Sequence, residues 1–104
     1  MRMMAKFHFP VSGGNELVRS GKLNTAFENL MGDLKPEAAY FFPDENGERA
    51  GLIFFDLADP SMVVGVVERF AFGFGAQVTL TPVMNADDIQ KGLGLIPDIV
   101  QRYG

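Results

Sequence analysis

The chain has no cysteine, which excludes disulfides, thiolate nucleophiles and thiolate-held metals together. It has one histidine, so a zinc or haem site built within a single chain has little to draw on. Neither a metal nor a cofactor is expected. Positive charge is sparse: Lys and Arg total 9 against 13 Asp and Glu, the net charge is -4, and no two basic residues adjoin. Nucleic-acid binding needs clustered cations that displace counterions, so no nucleic-acid partner is expected. Long apolar runs are also missing. Met1-Arg2-Met3-Met4 leads only to Pro10, Ser12 and Gly13 and does not read as a signal peptide. No segment approaches the ~18 apolar residues of a membrane span. The expectation is a cytoplasmic protein with no membrane partner.

What is present is an ordinary globular composition with a surplus of aromatics. At 104 residues there is room for one domain, 1–104, with a single core. The chain is 47% hydrophobic and 21% charged, and it carries 10 phenylalanines. A domain of this size buries only about two-thirds of its unfolded surface. Surplus phenylalanine therefore points to a subunit interface, and a homodimer is expected.

Period-two alternation marks a first strand over Met4–Pro10, with Lys6 and His8 opposed to Phe7 and Phe9. Gly13-Gly14-Asn15 reads as a turn before a helix whose stripe is Leu23, Phe27, Leu30 and Leu34, with a kink near Gly21. Ala38–Phe42 and Ala50–Leu57 form the arms of a hairpin. Asn46-Gly47 suits a two-residue type I′ turn, which pairs Asp44 with Arg49, Phe41 with Leu52, Ala39 with Phe54 and Glu37 with Asp56; a one-residue bulge would flip that assignment. Asp59-Pro60 opens a second helix as N-cap and first helical residue. That helix is apolar nearly all round, from Met62 to Phe70, and should be buried on both sides. Phe72-Gly73-Phe74-Gly75 reads as an aromatic turn. Ala76–Val83 is the last strand, and residues 85–104 form a helical tail bent or split near Gly92, Gly94 and Pro97.

The order β-α-β-β-α-β-α predicts an α+β fold, a ferredoxin-like βαββαβ antiparallel sheet of order 4-1-3-2 plus a C-terminal helix, with its core over 4–84. Phe7, Phe9, Ile53, Phe55, Leu57, Val78 and Leu80 should face the helices. Lys6, His8, Leu52, Phe54, Asp56, Gln77, Thr79 and Thr81 should face the other way. The hairpin register adds Glu37, Ala39 and Phe41 to this second face. Its mixture of bulky apolar groups with hydroxyls, an amide, an imidazole and charges suits the wall of a small-molecule cavity. Two such sheets stacked face to face would enclose it.

Within that wall His8 is the natural proton carrier near neutral pH. Lys6 is expected nearer Asp56 and Thr81, with Glu37 across from Asp56, so that a carboxylate beside a cation could act as a base. The competing reading is a structural ion pair at the sheet edge and a hydrogen-bonded wall histidine. The candidate catalytic residues are thus His8, Lys6 and Asp56. The candidate ligand pocket is Phe41, Phe54, Phe74, Gln77, Thr79, Thr81 and Glu37. Tyr40 joins the wall only if the hairpin carries a bulge.

Gly51-Leu52-Ile53-Phe54-Phe55-Asp56-Leu57-Ala58-Asp59-Pro60, a helix, and then Val78-Thr79-Leu80-Thr81-Pro82 resemble the dimeric α+β barrel superfamily. The pattern is similar to muconolactone isomerase-like proteins and to short bacterial barrel domains, over roughly 4–84. The resemblance implies a dimer with an internal pocket and leaves the chemistry open, because the architecture hosts enzymes and sensors alike. Two functions follow. One is cofactor-independent binding or transformation of a small, partly hydrophobic metabolite. The other is a non-catalytic ligand-sensing or assembly module.

Overall fold

The computed structural model describes residues 1–104. Strand β1 (Arg2–Phe9) buries every second side chain, Met3, Ala5, Phe7 and Phe9, as its alternation requires. Helices α1 (Val11–Arg19) and α2 (Lys22–Leu34) follow, then β2 (Ala38–Pro43), β3 (Arg49–Asp56), α3 (Met62–Phe74), β4 (Gln77–Pro82), α4 (Ala86–Leu93) and α5 (Ile96–Tyr103). The strands form one antiparallel sheet of order β2-β3-β1-β4. This is the expected 4-1-3-2 order read from the other edge. The fold is α+β and ferredoxin-like, and no helix is long and apolar enough to cross a membrane.

The first helix starts earlier than expected. Pro10, with φ -59, leads straight into α1, so Gly13 and Gly14 lie inside the helix and do not form a turn. Gly14 is glycine for close approach: a Cβ there would sit 2.6 Å from Arg49 Nη1 and 3.1 Å from the Phe9 ring. The break near Gly21 is present, with Gly21 left-handed at φ 73 between α1 and α2.

Two further expectations are overturned. Phe72-Gly73-Phe74-Gly75 is not a turn, because α3 runs through Phe74 and stops only at left-handed Gly75. Burial of Phe70 and Phe74 outweighs the poor helix propensity of Gly73. Asp59 does not cap the helix directly; its carboxylate accepts from the Ser61 N–H in a turn one step before α3 begins.

The core lies between the sheet and α2 and α3. Phe7, Phe9, Phe27, Phe70 and Phe74 share it, with ring centroids 5.0 Å apart for Phe7–Phe70 and 4.9 Å for Phe27–Phe74. Helix α3 buries Val66, Phe70 and Phe74 on this side, while Met62, Val63 and Val64 in its first turn are exposed.

The tail splits as Gly94 and Pro97 suggested. Asn85 caps α4 in a reciprocal capping box with Asp88, with bonds of 2.9 and 3.0 Å. Neither α4 nor α5 buries a residue. The radius of gyration is 17.2 Å, against about 13 Å for a compact chain of this length. The tail stands away from the body.

Candidate functional site

The face of the sheet away from the helices is built from three cross-strand rows. Phe42, Ala50, His8 and Gln77 make the first, Tyr40, Leu52, Lys6 and Thr79 the second, and Ala38, Phe54, Met4 and Thr81 the third. Arg2 and Asp56 face each other at the far end. Lys6, His8, Leu52, Phe54, Gln77, Thr79 and Thr81 therefore lie on this face, as alternation in their strands predicts.

The hairpin register is the main correction. Phe41 pairs with Gly51, Ala39 with Ile53 and Pro43 with Arg49, one residue away from the expected pairing. A shift of one residue exchanges the two faces of a strand. Phe41 accordingly turns to the helix side, edge-on to Phe27 at 5.1 Å and to Phe7 at 6.3 Å. Tyr40 and Phe42 take the open face instead.

The cause is the turn. The Asp44 carbonyl accepts from Gly47 N–H, and Asp44 N–H donates to the Glu48 carbonyl. With Gly47 left-handed at φ 75, this is a type I turn with a glycine bulge and a three-residue loop. The Asp44 carboxylate fixes it by accepting from Asn46 N–H and Glu48 N–H, both at 2.9 Å. The signal was present as Asp at the first turn position and Gly at the fourth.

The proposed catalytic trio does not assemble. Lys6 sits between Leu52 and Thr79, and Asp56 lies four residues along the ladder, about 13 Å away at ~3.3 Å per residue. The carboxylate of Asp56 binds the Met1 amino group at 2.8 Å. Glu37 is hydrogen-bonded to Arg2, and that bond, with the Glu37 charge, holds the guanidinium above its usual pKa. Phe74 is buried in the core and cannot line the open face.

Two residues missed in the sequence take their place beside His8. His8 Nδ1 lies 2.8 Å from Glu48 Oε1, and donation from Nδ1 leaves Nε2 as acceptor in the neutral ring. Donor atoms of His8, Asp44 and Glu48 all lie within 4.8 Å of one another, a set that could chelate a divalent cation. Lys6, His8, Phe42, Asp44, Asn46 and Thr79 line a cavity of about 270 Å³ on this face.

No family model matches the chain, and no curated protein matches it in sequence. A solved structure of a formyltetrahydrofolate deformylase from Pseudomonas putida KT2440 is similar in fold. It matches over 80% of this chain with a TM-score of 0.50 and 16% identity. This chain spans only 29% of that protein. At this identity the likeness concerns the fold alone, and it agrees with the βαββαβ sheet.

The chemistry therefore concentrates at one end of the open face. Lys6, His8 with its Nδ1 held by Glu48, Phe42 and Thr79 stand around a small cavity, with the Tyr40 side chain further along the edge strand. Gln77 flanks His8 on β4, and Thr81 and Phe54 lie in the third row, away from that cavity.

Proposed function

We propose that the chain is a homodimeric ligand-binding or assembly module of the dimeric α+β barrel kind, similar in plan to muconolactone isomerase-like proteins but without catalysis. The observation that carries this reading is the make-up of the uncovered face. Tyr40, Phe42, Leu52 and Phe54 lie there together with no helix over them, and Tyr40 is 62% exposed. Apolar surface of this kind is stabilised when a second sheet covers it. Closing two copies would also shut the His8–Lys6 cavity around a small, polar-ended metabolite. The exposed Met62, Val63 and Val64 on α3 add to the self-association reading. The separation of Asp56 from Lys6 and His8 favours binding without turnover.

Sedimentation velocity of the full chain at micromolar concentration is the test. A dimer that becomes a monomer in Phe54→Asp, with its circular dichroism retained, is the expected result. A wild-type monomer at that concentration overturns the proposal. A second reading, in which the chain is an enzyme, rests on the His8–Glu48 pair, since a carboxylate-oriented imidazole is a general base in form. It predicts turnover of whichever metabolite raises the melting temperature, lost in His8→Gln while binding survives.

A further inference from the structure

The helix side of the hairpin holds a second pocket, which meets the open-face cavity at Phe42 and Ala50. Because Phe41 turns toward the helices, it stands with Phe7, Phe9, Phe27, Leu23 and Arg49 around an open pocket of about 380 Å³, with Phe41 itself still exposed at the rim. Its floor is closed, since Phe7 and Phe9 are each 1% exposed. The outer end lies by the exposed Pro43 and Gly47, at the free edge of the sheet.

Arg49 is unlike the other guanidinium groups of the body. Arg2, Arg19 and Arg69 are each paired with a carboxylate, whereas Arg49 forms no ion pair. Of its five N–H donors, one is taken by Asn15 Oδ1 at 3.2 Å. The side chain is half-buried between α1 and the hairpin, in the space Gly14 leaves by having no Cβ. A partly desolvated cation with free donors, beside an aromatic chamber, has a definite complement: a flat apolar body ending in one carboxylate. The ring would meet the Phe walls edge-on or offset, and the carboxylate would take the guanidinium fork in two parallel bonds.

We propose that this cavity is a binding site for small aromatic monocarboxylates, anchored by Arg49. The site lies within one chain and stands whether or not the chain dimerises.

The test is a titration of the full-length, isotope-labelled chain by amide chemical shifts, with phenylacetate and indole-3-acetate as acids and phenylacetamide as the neutral isostere. At least one acid should saturate, with the largest shifts at Leu23, Phe41 and Arg49. The amide should bind about tenfold more weakly, as loss of a charge-assisted pair requires. Arg49→Gln should bring the acid down to the affinity of the amide and leave the amide unchanged. Leu23→Trp, which fills the chamber, should abolish both. The proposal is overturned if neither acid saturates, if acid and amide bind equally, or if the shifts centre on Lys6 and His8. That last outcome would place the ligand in the open-face cavity.

Discussion

Gly51 lies against the ring of Phe7: a Cβ on Gly51 would come 2.7 Å from two ring carbons and 2.9 Å from the Tyr40 carbonyl oxygen. The ring is fully buried and the carbonyl belongs to a paired strand, so neither can yield cheaply. Gly51→Ala is therefore expected to destabilise the chain by about 1–3 kcal/mol, the usual range for overpacking. Urea unfolding measures it, and a change below half a kilocalorie would show that β2 can peel away from β3.

The hairpin loop depends on one carboxylate. Asp44→Ala removes the acceptor of two backbone N–H groups and should lower stability by about 1–2 kcal/mol. Asp44→Asn keeps an acceptor oxygen and should restore most of the loss. Amide exchange at Asn46 and Glu48 reports the same bonds directly, and unchanged protection in Asp44→Ala would refute the assignment.

Asp59 makes stability depend on pH in the acid range. Its carboxylate accepts from Ser61, chiefly from the backbone N–H, and this holds its pKa below the ordinary carboxylate value. A carboxyl depressed in the folded chain stabilises it above the unfolded pKa, and the contribution disappears as pH falls through the folded one. Wild type should thus exceed Asp59→Ala at neutral pH, and the gap should close below the ordinary carboxylate range. A gap of constant size across that titration would assign the effect to something other than ionisation.

The tail contributes little to the stability of the sheet. Because α4 and α5 bury no residue, removal of residues 86–104 should shift the thermal midpoint by no more than about 4 °C. A larger fall would mean that the apolar stripe of Ile89, Leu93, Ile96 and Val100 is covered in solution, and sedimentation of the truncated chain would tell whether by a second copy.

Much of the architecture was legible because some strands leave one option open. In β1 the alternation of Phe7 and Phe9 with Lys6 and His8 fixes both faces, and β3 and β4 follow from pairing with it. β2 had no such anchor. Its Ala38–Phe42 run is apolar at every position, so its faces are assigned by the turn alone, and Asn46-Gly47 fits two turns that differ by one residue. The Asp44 carboxylate decides between them through bonds to the backbone, which side-chain hydropathy does not register. The same shift hid Asp44 and Glu48 from the candidate site and misplaced Phe41. Phe74 departs from its local pattern for another reason: flanking glycines signal a turn, while the burial that extends α3 is a tertiary effect.

The three-residue loop also has an evolutionary reading. Substitutions that favour a two-residue turn at Asn46-Gly47, with the chain length unchanged, would place Glu45 opposite Glu48 and invert β2, moving the Phe41 side chain to the open face and the Tyr40 and Phe42 side chains toward the helices. One such slip of register would dismantle the aromatic pocket beside Arg49 and rewrite the opposite surface at once, so the two cavities cannot vary independently through this loop.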